Sequence, residues 1–284
     1  MAVLAVDIGG TKTLVTLIDG AEVIERLEAP TERSAGPRKW VDQAAKMAMH
    51  IDGNFDRAGI TVSGLVKQNH WSALNTETLA IPGRFALLEV AERALNVPVT
   101  LCNDAQAAAW GEFIHGAGQQ KDIVFLTIST GVGGGVVANG RLLSGRGGVA
   151  GHFGQILPLP DGAENRFEDC SSGRWIAAQG TQLGLPHDTR EVFAAAASGN
   201  QAAENIIQTS ANRVGRLCHN LQLMFDPHVT VIGGGVGMAP GFLERMTASV
   251  EHFQPLVRPT FVEAKLKQDA GVIGVADLSN RNQP

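Results

Sequence analysis

Two glycine-rich turns, each directly after a short apolar run, contain residues that could bind a phosphate. Residues 7–12 (Asp-Ile-Gly-Gly-Thr-Lys) follow the run 3–6, and residues 129–135 (Ser-Thr-Gly-Val-Gly-Gly-Gly) follow the run 123–128. Glycine lets backbone N–H groups approach an anion closely. Asp7 adds a carboxylate that could hold Mg²⁺, directly or through water. Together the turns predict a nucleotide phosphate site, although each alone could be an ordinary hairpin turn.

A third glycine cluster and one carboxylate extend this prediction. Gly233, Gly234 and Gly235 lie between a strand and a helix and could pass beneath an adenosine, although for the cluster by itself a tight strand-to-helix turn is the favoured explanation. Asp104 follows Asn103 where a strand ends and a helix begins, so it could cap the helix or accept a proton from a substrate hydroxyl. Both hold if Asn103 is the cap and Asp104 faces outward.

The elements around these turns repeat along the chain. Strands are predicted at 3–6, 13–18 and 21–28, with a hairpin turn at Asp19-Gly20, and again at 123–128, 134–138 and 141–143, with a turn at Asn139-Gly140. The offset of roughly 120 residues indicates two related lobes. Helices are predicted at 38–50, 84–96, 105–113, 206–225, near 241 and at 271–278, and further strands at 59–62, 99–102 and 229–232. Alternating strands and helices favour an α/β fold.

Composition excludes several classes of protein. The 284 residues carry 23 Lys plus Arg against 28 Asp plus Glu, a net charge of −5, so no basic nucleic-acid surface is expected. The 34 glycines, about 12% against an average near 7%, show no collagen period. Residues 145–150 match G-x-G-x-x-A, but no helix follows, so we exclude an NAD site. The uncharged segment 123–140 is polar and glycine-rich, which favours a buried hairpin over a membrane span.

The expected location is the cytoplasm. The apolar run 2–6 is too short for a signal-peptide core. Cys102, Cys170 and Cys218 are scattered and form no C-x-x-C pair, which fits a reducing compartment.

Several ordered motifs identify a resemblance that covers nearly the whole chain. Residues 7–12, 101–110, 129–135, 147–152, 231–240 and 268–274 stand in the order of the ROK sugar kinases. The resemblance implies a bilobal, duplicated actin-like/ribonuclease-H-like ATPase fold with the active site in the interlobe cleft. It divides the chain into an N-terminal lobe, 1–116, joined by the C-terminal helix 270–284, and a C-terminal lobe, 117–269. It also implies ATP with Mg²⁺, transfer to a hexosamine 6-hydroxyl, and a homodimer without nucleic-acid or membrane partners.

The resemblance assigns roles residue by residue. Asp104 is the implied base, Asp7 the Mg²⁺ ligand, and Asn75, Asn103, Asp104 and His152 the sugar contacts. A His at the position of His152 is found in the family members that phosphorylate N-acetylmannosamine in sialic acid catabolism, where hexose-specific members have Glu. The implied ATP-binding residues are Asp7, Gly9, Gly10, Thr11, Lys12, Thr130, Gly131, Val132, Gly133, Gly134, Gly135, Gly234 and Gly235.

The chain departs from the family at its zinc site. The family's ligands fall at Gln155 and near Arg166, Glu168 and Gly173, so we predict no zinc and a metal-free loop over 157–173. A family Glu that contacts the sugar falls near Trp175, which leaves the sugar specificity open. A kinase for glucose, fructose or another acylhexosamine and a degenerate sugar sensor therefore remain alternatives. A winged-helix repressor is not expected, since the first turn begins at residue 7.

Overall fold

The computed structural model describes residues 2–74, 79, 83–157 and 165–281, and within these ranges the strands form two five-stranded sheets and one three-stranded sheet. The first sheet contains β1 (Val3–Ile8), β2 (Lys12–Asp19), β3 (Glu22–Pro30), β4 (Ala58–Val62) and β8 (Val99–Asn103). The small sheet contains β5 (Leu65–Lys67), β6 (His70–Ser72) and β7 (Arg84–Phe85). The second large sheet contains β9 (Ile123–Ile128), β10 (Val132–Ala138), β11 (Arg141–Leu142), β12 (Val229–Gly233) and β13 (Phe261–Glu263).

The two large sheets have the same topology. The first has the order β3-β2-β1-β4-β8, with an antiparallel β1–β2–β3 meander and β4 and β8 parallel to β1. The second has the order β11-β10-β9-β12-β13 with the same strand directions. The predicted duplication is therefore confirmed, and the segment 123–140 is a buried hairpin.

The helices pack on both sheets. They are α1 (Pro37–Ala48), α2 (Leu87–Leu95), α3 (Asp104–Ile114), α4 (Glu168–Ser171), α5 (Gly173–Gln182), α6 (Thr189–Ala197), α7 (Gln201–Phe225), α8 (Gly234–Gly237), α9 (Phe242–Val250) and α10 (Ala270–Arg281). Within the described ranges, none of these helices is long and apolar enough to cross a bilayer.

Some sequence-based elements were wrong in detail. The helix predicted from residue 84 begins at Leu87, because Arg84 and Phe85 pair with β6 as a strand. The glycines from Gly234 form the short helix α8 rather than only a turn. The loop predicted over 157–173 contains α4 in its described part. The small sheet and β13 were not predicted, because strands of two or three residues are too short to show a period. The helices α5 and α6 were not predicted either.

Helix α3 lies between the two large sheets and contacts α10, β9 and β10. The helices α3 and α10 cross closely because each has a glycine at the contact. A Cβ added at Gly274 of α10 would lie 1.9 Å from the Ala107 carbonyl oxygen, and a Cβ added at Gly111 of α3 would lie 2.3 Å from the Ala270 carbonyl oxygen. Helix α10 also packs on β1, β4 and β8. That packing agrees with joining the C-terminal helix to the first lobe, although the exact lobe boundaries stay predictions.

Candidate active site

A cavity of about 620 Å³ lies between the two large sheets and brings together residues from both halves of the chain. Predicted site residues that line it are Gly9, Gly10, Thr11, Asn103, Asp104, Thr130, Gly131, Val132, Gly133, Gly134 and His152. A second cavity, of about 380 Å³, is lined by Asp7, Asp104, Gly234 and Gly235 among others. Asp104 belongs to both linings and therefore lies where the two cavities adjoin.

Asp104 is held in place by its neighbours at the start of α3. Asn103 is the N-cap, since its Oδ1 accepts a hydrogen bond from the Gln106 N–H at 3.1 Å. Its Nδ2 donates to the Gly64 carbonyl and to Asp104 Oδ1, both at 2.9 Å, and the Ala105 N–H donates to the same Oδ1 at 2.8 Å. Because these bonds use Oδ1, Asp104 can accept a substrate proton through Oδ2 without losing either. The geometry shows Asn103 as the cap, as predicted, and the role of Asp104 as the base stays a prediction.

Asp7 ends β1 beside Asp104. Its Oδ1 accepts a hydrogen bond from Thr61 Oγ1 at 2.9 Å. Burial, and then the charge of Asp104, raise the pKa of Asp7 to about 6. A cation would relieve both effects, and Mg²⁺ commonly uses one or two carboxylates together with water and substrate phosphates. The donors at this point therefore fit Mg²⁺.

The first glycine turn is closed by the Gly9 N–H, which donates to the Lys12 carbonyl oxygen at 3.1 Å. Lys12 itself is absent from the described lining of either cavity, and its Nζ lies 2.9 Å from Glu28 Oε1. Both side chains of that pair are about half exposed (49% and 41%), so it contributes only about 0–1 kcal/mol and a phosphate could compete for the ammonium. Arg33, which the motifs did not indicate, lines the larger cavity and donates from Nε to the Gly10 carbonyl oxygen.

The second glycine turn is held by the start of α5. The Gly173 N–H donates to the Ser129 carbonyl oxygen at 2.7 Å, and the Arg174 N–H donates to that of Thr130 at 3.3 Å. These bonds fix the turn while Thr130 and Gly131 face the cavity.

The glycines that follow this turn belong to β10 and serve packing as well. A Cβ added at Gly133 would lie 3.0 Å from Ala105 Cβ, and one at Gly135 would lie 2.6 Å from Ala109 Cβ. On the opposite face, a Cβ added at Gly134 would lie 2.5 Å from Cδ2 of the Phe153 ring. Among the described residues, Gly135 lines neither cavity. The structure thus places Gly135 against α3 and not at the predicted phosphate site.

The third glycine turn lies at the smaller cavity. Gly234 has a φ of +84°, and a Cβ there would lie 2.3 Å from the Ile128 carbonyl oxygen, so the position requires glycine. A Cβ at Gly235 would meet no described atom within 4 Å and would extend into open space. Lys267 and Gln268 line the same cavity and had no predicted role; Gln268 begins the motif 268–274, whereas nothing in the local sequence distinguishes Lys267.

The larger cavity is also lined by His152, which was predicted as a sugar contact. Its Nδ1 lies 3.2 Å from the Val149 carbonyl oxygen, and its Nε2 is buried with no hydrogen-bond partner in the described part of the chain. Gly151, with a φ of +86°, holds this loop close to Gly134, whose carbonyl oxygen would lie 2.7 Å from an added Cβ. The predicted contact Asn75 lies outside the described residues.

Glu168 is a site residue that sequence reasoning missed. It is only 5% exposed and lines the larger cavity with Gln155 and Arg174. Trp175, where the sugar-contacting position was placed, packs on the core of the second lobe, with the Arg213 guanidinium 4.8 Å from its ring centroid. Glu168 therefore stands at the cleft and Trp175 does not line it within the described residues. An acidic residue that follows Phe167 at the start of a helix could have indicated this position. The motif spacing after residue 157 is irregular, and for that reason no role was assigned to Glu168.

The zinc-ligand positions hold an unsuitable donor set. Arg166 is permanently protonated and cannot ligate a metal, and Gly173 has no side chain. Gln155 and Glu168 are instead hydrogen-bonded to each other at 2.8 Å. These residues do not fit a four-ligand zinc site.

Comparison with known proteins places this architecture in a family. The bifunctional enzyme NanE/NanK of Brucella melitensis is 45% identical over 277 residues, which are 98% of this chain and 54% of that protein, so the chain spans about half the length of this relative. The N-acetylmannosamine kinase of Shigella flexneri is 36% identical over 98% of both chains. The solved structure of a ROK family glucokinase from Streptomyces griseus, in complex with glucose and AMPPNP, is 27% identical, covers 99% of this chain and 100% of that chain, and has a TM-score of 0.84. This likeness confirms the predicted bilobal actin-like fold. Because the ROK family model matches residues 3–282, the chain belongs to the ROK family.

Proposed function

We propose that this chain transfers the terminal phosphoryl group of ATP to the 6-hydroxyl of N-acetylmannosamine. The observation that carries the proposal is the position of Asp104 in the linings of both cavities. A sugar hydroxyl beside His152 and a phosphoryl group at the glycine turns would meet at this carboxylate. The name of the Shigella flexneri relative, which matches over the full length of both chains, supports the choice of sugar.

The site divides the reaction into positioning and charge neutralisation, which are the main needs of phosphoryl transfer. Backbone N–H groups of the two turns hold the phosphate oxygens, and Asp7 holds Mg²⁺. The bound ion supplies positive charge against the charge that develops on the phosphoryl oxygens. Asp104 orients the 6-hydroxyl and accepts its proton through Oδ2, a role that contributes about 10²- to 10⁴-fold in such enzymes.

Sugar recognition rests on two further groups that line the larger cavity, His152 and Glu168. The buried Nε2 of His152 has no partner in the described part of the chain, and an unpaired buried polar atom costs about 1–3 kcal/mol. A polar group of the sugar, such as its acetamido group, would relieve that cost. Glu168 presents a buried carboxylate that accepts hydrogen bonds from sugar hydroxyls. His152 and Glu168 therefore favour a sugar that carries polar substituents where these two side chains contact its ring.

An assay of ADP release across a sugar panel tests the proposal. The purified chain is incubated with MgATP and N-acetylmannosamine, N-acetylglucosamine, glucose or fructose, and the product is identified by ³¹P NMR. We expect the highest kcat/KM for N-acetylmannosamine and a 6-phosphate product. A higher kcat/KM for glucose or fructose would identify that sugar as the substrate in place of N-acetylmannosamine. Sugar binding without ADP release would indicate that the protein is a sugar sensor.

We extend the proposal to the setting of the enzyme. It includes Mg²⁺ dependence, a homodimer in the cytoplasm without nucleic-acid or membrane partners, and a place in sialic acid degradation. Light scattering of the purified protein tests the dimer. Replacement of Mg²⁺ by a chelator tests the dependence on the ion, and turnover should be lost.

A further inference from the structure

The carboxylate of Glu168 is surrounded by donors from separate segments of the second lobe. Gln155 Nε2 donates to Glu168 Oε1 at 2.8 Å, and Arg166 Nη1 lies 3.3 Å from the same oxygen. Arg174 Nη2 lies 3.8 Å from Oε2. Since the Glu168 side chain is only 6% exposed, its charge depends on these donors for the stabilisation that water would otherwise provide.

Arg166 is itself oriented by Asp169. Its Nε donates to Asp169 Oδ2 at 2.9 Å and its Nη2 to Oδ1 at 2.8 Å, which is a two-point contact that fixes the guanidinium plane. These hydrogen bonds lower the pKa of Asp169, so that carboxyl stays ionised at neutral pH. With Nε and Nη2 committed to Asp169, Nη1 is the nitrogen that faces Glu168.

The short helix α4 that carries Glu168 is anchored from behind by α7. Ser210 Oγ donates to the Ser171 carbonyl oxygen at 2.7 Å, and Arg213 Nη1 donates to that of Cys170 at 2.5 Å. Both acceptors are backbone atoms, so the backbone of α4 is fixed to the lobe core. These bonds do not fix the direction of the Glu168 side chain.

The carboxylate also contacts the second glycine turn. A Cβ added at Gly131 would lie 2.7 Å from Glu168 Oε2, so this oxygen sits directly above the turn and faces the cleft. Oε1 carries the contacts with Gln155 and Arg166 on the other side. Oε1 therefore has the shorter protein contacts, and Oε2 lies next to the turn with Arg174 Nη2 3.8 Å away.

We propose that Gln155 and Arg166 are positioning residues that hold Glu168 against the sugar. This proposal rests on the proposed function, because it takes Glu168 as a sugar contact. Without Arg166, the buried carboxylate loses its nearest cation and is drawn toward solvent, away from the sugar. The loss should weaken sugar binding, while the phosphate turns, which are held by other bonds, keep their geometry.

The test separates the Michaelis constants of the two substrates. We expect Arg166→Met to raise the KM of the sugar about 10-fold or more, because a hydrogen bond to a charged group is lost, with kcat and the KM of ATP within about 3-fold of the wild type. Arg166→Lys keeps a positive charge but cannot form the two-point contact with Asp169, so it should raise the sugar KM less than Arg166→Met does. Gln155→Leu should raise the sugar KM in the same way but less. The matched control is Arg190→Met, since Arg190 also pairs with an aspartate, at 2.7 Å from Asp188, yet is 89% exposed; its kinetic constants should not change.

Several results would overturn the proposal. An unchanged sugar KM in Arg166→Met, or an equal loss in kcat and in both KM values, would show that Arg166 does not act through Glu168. A sugar KM at least as high in Arg166→Lys as in Arg166→Met would have the same meaning. If Arg166→Met does not fold, Arg166→Lys and Gln155→Leu carry the comparison.

A second readout keeps this test independent of the proposed function. If the wild type does not phosphorylate N-acetylmannosamine, the proposed substrate is wrong, and the variants are then compared on whichever panel sugar is phosphorylated. In either case, hydrogen–deuterium exchange with and without sugar measures protection of residues 165–174. Sugar should increase protection there in the wild type and in Arg190→Met but not in Arg166→Met. Equal protection by sugar in all three proteins would contradict the positioning role.

Discussion

Replacing Asp7 by Asn should make the protein more stable and remove its activity. Asp7 sits partly buried at the end of β1, and its pKa is raised from 3.8 to about 6 by burial and by the charge of Asp104. An asparagine has nearly the same shape, and its Oδ1 can still accept the hydrogen bond from Thr61 Oγ1. The substitution therefore removes the charge and keeps the packing.

The sign and size of the effect follow from the pKa. Between the ordinary and the raised value, the folded protein binds a proton that the unfolded chain has released, so the free energy of unfolding falls as the pH rises through this window. Above about pH 6 the ionised Asp7 lowers the free energy of unfolding by its full amount. A pKa shift of about two units corresponds to at most about 3 kcal/mol. Because Asp7 is open to the cleft, we expect a gain of about 1–3 kcal/mol for Asp7→Asn at pH 7–8. The gain should shrink as the pH falls from about 6 toward 4, and none is expected below about pH 3, where both states are protonated.

Thermal unfolding over this pH range measures the effect. A gain of this size raises the Tm by about 2–4 °C per kcal/mol in a chain of this length. The control is Asp42→Asn on the exposed face of α1, which should leave the Tm unchanged. Loss of the Mg²⁺ ligand should lower kcat by about 10²-fold or more. The reasoning is refuted if Asp7→Asn is no more stable than the wild type at pH 7–8, or if its advantage is the same at pH 4.

Three further predictions concern the other parts of the site. Asp104→Asn should keep the fold, since Asn103 still caps α3, and should lower kcat by about 10²- to 10⁴-fold; a near-normal kcat in steady-state kinetics would rule out its role as base. Gly235→Ala should raise the KM of ATP without changing the Tm, because its Cβ enters only the smaller cavity, whereas Gly234→Ala should lower the stability by about 1–3 kcal/mol through its clash with the Ile128 oxygen and its positive φ. Both are measured by kinetics and thermal melting, and equal Tm losses in the two variants would contradict this difference. Zinc should be absent from the purified protein, and one equivalent of tightly bound zinc by elemental analysis would overturn that prediction.

Local patterns along the chain were enough to predict the repeated hairpins, the phosphate turns and the carboxylate after β8. Each of these depends on residues close in sequence: a strand of apolar residues, a glycine turn, or an N-cap beside an acid. Asn103 and Asp104 show this well, because both roles depend on three or four consecutive residues. The motif order along the chain then indicated the fold, since the same turns occur in both halves.

Only the tertiary structure decided which residues face the cleft. Gly135 looks like Gly131 in the sequence, but it packs against α3, a helix from the other half of the chain, and lines neither cavity among the described residues. Glu168 reaches the cleft because α7, some 40 residues later, anchors α4 beneath it. The raised pKa of Asp7 likewise depends first on its burial and then on Asp104, which is brought near it by the pairing of β1, β4 and β8. Local residue types set what each group can do, whereas long-range packing set which groups meet, because contacts between distant segments leave no periodic signal in the sequence.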